Sequence, residues 1–155
     1  MSQIVPILKY EEGYRDEPFI DSLGYPTVGC GIKIGPKGAS LTSYIFKVPR
    51  QVGELWMQTL VEGKIFAMQQ RPLLISALNQ CNDARSDILY SMAYQMGVEG
   101  LSGFSNTLAA IARGDFTSAA DGMLNSLWAR QTPARAKRHA DVMRSGSYES
   151  YRGLI

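Results

Sequence analysis

Glu12, Asp21 and Thr27 are the side chains of this sequence best suited to acid/base chemistry, standing at the spacing E-x8-D-x5-T. They lie in the run E-E-G-Y-R-D-E-P-F-I-D-S-L-G-Y-P-T-V-G-C-G, from Glu11 to Gly31. Cleaving the acetal link between two sugars needs one carboxyl to protonate the leaving oxygen. It needs a second group, on a different rigid element, to direct a water. The pattern predicts Glu12 at the end of a helix, Asp21 on a strand, and Thr27 on the strand after the turn. Each residue alone also has an ordinary reading. Glu12 is then a surface glutamate at a helix end, Asp21 an Asx-turn residue, and Thr27 a β-former. The joint spacing inside the hairpin pattern G-Y-x-T-x-G-x-G, Gly24 to Gly31, is far more specific than any one of them.

Those residues need elements to hold them. Ile4, Ile7, Leu8 and Glu11 recur at helical spacing, with Pro6 tolerated in a first turn and Gly13 suited to a left-handed cap. From Pro18 to Ile34 the β-formers Phe19, Ile20, Thr27, Val28, Ile32 and Ile34 are punctuated by glycine turns, which predicts a small twisted antiparallel sheet. Gly35-Pro36-Lys37-Gly38 reads as a loop. Val52, Leu55, Trp56, Thr59 and Leu60 repeat at three and four, predicting a long helix over about 50–70, with a restart at Pro72. The segment Asp83–Gln95 is apolar nearly all round, as in the buried centre of a bundle. Gly97, Gly100 and Gly103 then mark its end and a loop. Ser105 is expected to cap a helix closed at Gly114. Asp115 is expected to cap a second helix running through Leu127, and Thr132-Pro133 to start a last one stopping at Gly146.

Composition bounds the rest. The chain has 155 residues, 45% hydrophobic and 19% charged, with a net charge of +2. That balance excludes wholesale disorder and gives no argument for a nucleic-acid partner. Arg130, Arg135, Lys137, Arg138 and Arg144 cluster against Asp141 alone; they read as a solvated helix face or as a patch steering the protein toward an anionic surface. Cys30 and Cys81 are expected to be free thiols. His139, the single histidine, and two distant cysteines lack the paired spacing of a zinc site. No apolar run reaches membrane-spanning length, and Met1 to Lys9 is too short and interrupted for a signal peptide.

The sequence resembles the phage-type lysozymes, glycoside hydrolase family 24. The match runs from Leu8 to Gly31, returns at Tyr94-Gln95-Met96-Gly97 and at Gly100 to Asn106, and covers W-A-R-Q-T-P-A-R-A-K-R from Trp128 to Arg138. The region 37–80 matches poorly. The resemblance implies Glu12 as general acid, Asp21 as the second carboxylate and Thr27 as the hydroxyl that helps hold the attacking water. It implies that Arg135 pairs with the catalytic glutamate. Tyr94, Gln95, Phe104 and Thr107 fall at substrate-side positions, Gln95 as an identity and Tyr94 and Thr107 as replacements. Ile32 stands where members often carry histidine.

An α+β fold is implied: a small antiparallel β-lobe (about 14–49), a connecting helix (about 50–70), and a larger helical lobe (about 72–155) joined by the N-terminal helix (3–12), with the active-site cleft between. Implied also is hydrolysis of the β-1,4 bond between N-acetylmuramic acid and N-acetylglucosamine in peptidoglycan, with inversion and without a cofactor or metal. The expected setting is a monomeric endolysin that accumulates in the host cytoplasm, reaches the periplasm through a separate holin, and neither binds nucleic acid nor inserts stably into membrane. A lytic transglycosylase, a non-catalytic wall-binding module and a helical nucleic-acid binder are the competing readings.

Overall fold

The computed structural model describes every residue from Met1 to Ile155. The chain is α-rich with one three-stranded antiparallel sheet, an α+β fold. It forms two compact units: Leu8–Leu60, and Met1–Ile7 together with Val61–Ile155. The boundaries fall inside two continuous helices, α1 (Ile4–Glu12) and α2 (Arg50–Met68).

In the Leu8–Leu60 unit, α1 ends where its periodicity does. Gly13 takes φ 63° and its N–H donates to Lys9 O at 3.1 Å, a left-handed cap at a position where a Cβ would be strained. Strands β1 (Arg15–Ile20), β2 (Pro26–Gly29) and β3 (Ile32–Lys33) follow in sheet order β1-β2-β3. Phe19 pairs with Thr27 and Ile20 with Pro26, but the register shifts between Arg15 and Phe19, where Pro18 has no N–H to give the ladder. Val28 and Ile32, paired across the β2–β3 turn, are buried with Leu8, Cys30 and Met57. A 3-10 turn (Leu41–Ser43) leads into α2. Tyr14 locks this end, its hydroxyl donating to Val48 O at 2.5 Å. Its ring lies so close to Gly53 of α2 that a Cβ there would sit 2.6 Å from Cε2.

The other unit is helical: α3 (Pro72–Leu78), α4 (Asp83–Ser102), α5 (Ser105–Ala112), α6 (Phe116–Leu124), α7 (Leu127–Gln131), α8 (Pro133–Ser145) and a final 3-10 turn (Glu149–Tyr151). α4 is broken at Gly97 (φ 83°, ψ 160°), so the expected stop near Gln95 survives as a kink rather than an end. Ile88, Met92, Leu108, Ile111, Met123 and Met143 form its closed core, each such side chain stabilising by roughly 1.5–3 kcal/mol. Residues 1–3 are tied to this core through Asp87, wholly buried, which accepts from Ser2 Oγ at 2.6 Å and Gln3 N at 2.7 Å and from the Tyr148 hydroxyl.

Three cap expectations are corrected. Ser105 is the first residue of α5, not its cap, because Phe104 takes the N-cap position. Asp115 does cap α6, accepting from Ser118 N at 3.1 Å, but α6 stops at Leu124 and α7 begins anew behind Ser126, whose Oγ accepts from Ala129 N at 3.1 Å. Thr132 precedes Pro133 as expected, yet its hydroxyl donates back to Trp128 O at 3.0 Å instead of capping α8.

Candidate functional site

The catalytic triplet of the sequence analysis, Glu12, Asp21 and Thr27, lies within the Leu8–Leu60 unit. Glu12 is the last residue of α1 and partly buried. Its carboxyl group rests on the backbone of Gly31, at the far end of the β2–β3 turn. A Cβ built on Gly31 would stand 2.9 Å from Glu12 Cδ and nearer still to Oε2. Gly31 also has φ +70°, so glycine is required there twice, for backbone conformation and for room. The preceding residue, Cys30, is buried beside the same carboxylate. Burial first, then the negative charges of Glu54 and Glu12, pushes its thiol up and keeps it protonated. Cys30 is thus a packing residue of the turn and not a nucleophile. Glu54 of α2 is bound by Lys9 of α1 at 2.5 Å, with Arg50 at 3.8 Å, which ties the glutamate-bearing helix to α2.

Asp21 is not on a strand. It is the first residue of the β1–β2 connection, directly after Ile20. The Asx-turn reading describes its local role: Oδ1 accepts from Leu23 N at 3.0 Å and Tyr25 N at 2.9 Å. Thr27, 2% exposed, lies on β2 as expected, and its hydroxyl donates to Tyr25 O at 2.9 Å. The same Tyr25 carbonyl accepts Asp21 N–H at 2.9 Å. Tyr25 therefore holds both side chains, Asp21 through its N–H and Thr27 through its carbonyl. Hydrogen-bond accounting shows what is left over. Asp21 spends Oδ1 on the turn and keeps Oδ2; Thr27 spends its proton on a carbonyl and keeps the lone pairs of Oγ1. Two acceptors, one of them anionic, are what a water needs if both its protons are to be directed and its own lone pair aimed elsewhere.

The remaining site candidates belong to the helical unit. Gln95 of α4 accepts from Trp128 Nε1 at 2.8 Å, so its carbonyl orients an indole. Tyr94, its neighbour on α4, is partly buried. Phe104 meets Trp128 edge-on at 6.2 Å between centroids. Phe104, Asn106, Thr107, Asn125, Ser126 and Trp128 line an open pocket of about 520 Å³. Its floor is close-packed: a Cβ on Gly122 would sit 2.5 Å from Thr107 Oγ1. The lining is aromatic faces with amides and hydroxyls and carries no charged side chain, a surface suited to a neutral polar ligand. Arg135 of α8 is 8% exposed and donates through Nη2 to Ser91 Oγ at 3.0 Å and Ser91 O at 3.4 Å.

Sequence reasoning passed over Ser91, His139 and Tyr151. His139, wholly buried, bonds Ser91 Oγ through Nε2 at 2.7 Å and the Tyr151 hydroxyl through Nδ1 at 2.8 Å. A lone histidine on a helix otherwise rich in surface charge was the available signal. Two members of the basic cluster are held in ion pairs: Lys137 with Asp141 at 2.8 Å, and Arg144 with Asp121 at 2.8 Å across to α6. Cys81, like Cys30, is a free thiol, pushed up to about 11 by burial. No helix is long and apolar enough to cross a membrane.

Residues 9–140 match the family described as phage lysozyme. Among similar proteins, "Pre-baseplate central spike protein Gp5" of Enterobacteria phage T4 is 33% identical over 94% of this chain, which spans 28% of that protein. "Probable T4-type lysozyme 1" of Dictyostelium discoideum is 27% identical over 98% of this chain and 99% of its own length. "Peptidoglycan hydrolase gp36" of Pseudomonas phage phiKMV is 33% identical over 81% of this chain, which spans 13% of it.

Proposed function

We propose, from the premise that this chain belongs to the phage lysozyme family, that this lysozyme-type glycosidase hydrolyses the β-1,4 bond between N-acetylmuramic acid and N-acetylglucosamine in peptidoglycan. The observation that carries the reading is the pair of acceptors, Asp21 Oδ2 and Thr27 Oγ1, on side chains that Tyr25 holds through its N–H and its carbonyl. They stand in the same unit as the glutamate seated on Gly31.

Glu12 gives its proton to the glycosidic oxygen as the bond to the anomeric carbon breaks. A water donates one hydrogen bond to Asp21 Oδ2 and one to Thr27 Oγ1. Its free lone pair attacks the anomeric carbon, and its proton passes to Asp21. The products are a new reducing sugar and an alcohol, with Glu12 ionised and Asp21 protonated until they exchange protons with solvent. Attack by water on the face opposite the leaving group inverts the anomeric configuration. Arg135, buried on α8, is the supporting residue that the family likeness implies. Phe104, Thr107, Tyr94 and Gln95 are the substrate-side residues, with Gln95 acting through Trp128. The cellular role is that of an endolysin: a monomer acting on the wall in the periplasm and released there by a separate membrane-permeabilising protein.

Product analysis tests the reading. Mass spectrometry of digested peptidoglycan should show reducing N-acetylmuramic acid ends, and NMR of the first-formed product should show the α anomer. A 1,6-anhydro product would mean a transglycosylase, early β product would mean retention, and binding to the wall without release would mean a non-catalytic module.

A further inference from the structure

Asp21, Tyr25 and Thr27 hold one another. The Tyr25 N–H donates to Asp21 Oδ1, and the Tyr25 carbonyl accepts from Asp21 N and from the Thr27 hydroxyl, each bond at 2.9 Å. Both backbone groups of Tyr25 are thus given to the two residues it positions. Tyr25 itself stands one residue before β2, so the strand ladder does not fix it. Its neighbour Pro26 is fixed, being paired with Ile20 and accepting Ile34 N–H at 2.9 Å. What ties Tyr25 to the next strand is its ring: Lys33 Nζ lies 4.2 Å from the ring centroid. Register explains the meeting. Lys33 of β3 is the partner of Thr27, so the two side chains share a face of the hairpin. Tyr25 precedes Thr27 by two residues, the diagonal position that a long side chain reaches.

We propose that Lys33 is a positioning residue for the hydrolysis: its ammonium pins the Tyr25 ring, and Tyr25 holds Asp21 and Thr27 at the spacing that one water bridges. This deepens the function proposed above and rests on it, because the water belongs to that mechanism. The ring face is the negative part of the phenol, so a cation over it is attracted. Lys33 is exposed and forms no ion pair, which leaves the ring as its electrostatic partner. Release of the ring frees Tyr25 to shift, and any shift of Tyr25 moves both of its bonds together. Asp21 Oδ2 and Thr27 Oγ1 then lose their common aim. Lys33 hydrogen-bonds neither acceptor, so it acts on them through Tyr25. Aim of the attacking water matters in the transition state and not in substrate binding, so the effect belongs to kcat rather than to KM.

Lys33→Met keeps the aliphatic stem and removes the charge. A cation over a ring at an exposed site biases the pinned state by about two- to fivefold. Lys33→Met should therefore lower kcat on soluble peptidoglycan strands by about that factor, with KM unchanged. Lys33→Arg puts a cation back over the ring and should recover the wild-type kcat. Tyr25→Leu removes the ring and leaves the backbone bonds; it should resemble Lys33→Met, and the double variant should lose no more than either alone. Full kcat in Lys33→Met, no recovery by Lys33→Arg, or multiplied losses in the double variant would overturn the proposal. So would a raised KM at unchanged kcat, which would make Lys33 a substrate contact. Amide hydrogen exchange is the arm that needs no activity. Lys33→Met should speed exchange of the Tyr25 and Asp21 N–H groups by about the same two- to fivefold and leave Ile34 N–H unchanged. Unchanged exchange at Tyr25 and Asp21 would overturn the pinning. A wild-type protein that releases no sugar would overturn the proposed function, and the exchange comparison would still decide whether Lys33 pins Tyr25.

Discussion

Replacing Gly31 by alanine separates the Glu12 seat from every other feature of the hairpin. Two effects are expected, and they can be sized. The backbone at Gly31 has φ +70°, and holding an L-residue in the left-handed region costs about 1–2 kcal/mol. For a chain of this length each kcal/mol lowers the melting temperature by about 2–4 °C, so a fall of roughly 2–8 °C is expected. The second effect is on Glu12. The new methyl would overlap Glu12 Oε2, the nearest atom, so the carboxyl must withdraw by about 1 Å to reach ordinary contact. A misplacement of 1 Å can cost 10²-fold in rate, so a loss on the order of 10²-fold is expected. Gly38→Ala is the control. Gly38 has φ +84° with nothing within 4 Å of its Cβ position, so it should lose comparable stability and keep its activity. Initial rates of wall clearance, measured beside thermal unfolding of both variants, make the comparison. If Gly31→Ala loses no more activity than Gly38→Ala, Glu12 is not held by its seat on Gly31 and the reasoning fails.

Asp21→Asn keeps an Oδ1 for Leu23 N and Tyr25 N, so it should unfold close to wild type while losing 10²–10⁴ in rate, the usual worth of a general base. Asp21→Ala should lose in addition roughly 1–3 kcal/mol for the two turn bonds, and an Asn variant with full activity would reduce Asp21 to a turn residue. The folded chain keeps His139 neutral below pH 6.5, where the unfolded chain takes up a proton, so stability should be insensitive to this group above about pH 7. It should fall below pH 6.5 by up to about 1.4 kcal/mol per unit. His139→Gln should lack that part of the slope between pH 6.5 and 5.5, and urea titrations with parallel slopes would contradict a neutral buried imidazole. Neither thiol should react readily with iodoacetamide at pH 8: the Cys81 value of about 11 leaves roughly one thiolate in 10³, and Cys30 is buried and raised as well, so fast modification of native protein would refute both placements.

Local rules made much of this legible. Gly13 as a left-handed cap, the glycine turn between β2 and β3, the start of α3 at Pro72 and the Asp115 cap all follow from the conformational limits of single residues. Spacing alone also brought out Glu12, Asp21 and Thr27. The misreadings arise where one residue has two local options. Thr132 turned its hydroxyl back to Trp128 O, and Ser126 opened a new helix inside a stretch whose apolar period ran on. Asp21 sits one residue beyond β1 because its side chain closes the turn that the strand enters. The Arg135–Ser91–His139–Tyr151 chain was out of reach for a different reason. Its bonded pairs are separated by as many as 48 residues and meet only when α4, α8 and the last turn pack, and no periodicity marks a serine on an apolar helix as a hydrogen-bonding partner.

Glu12 carries the account, and one measurement bears on it most directly: clearance of outer-membrane-permeabilised cells by wild type and Glu12→Gln, each at the same concentration of folded protein. Glutamine keeps the size of the side chain resting on Gly31 and removes the proton that the leaving oxygen needs. Wild type should clear the suspension and release reducing sugar. Glu12→Gln should do neither while unfolding at a temperature close to wild type, whereas undiminished clearance by Glu12→Gln would contradict the assignment of the acid.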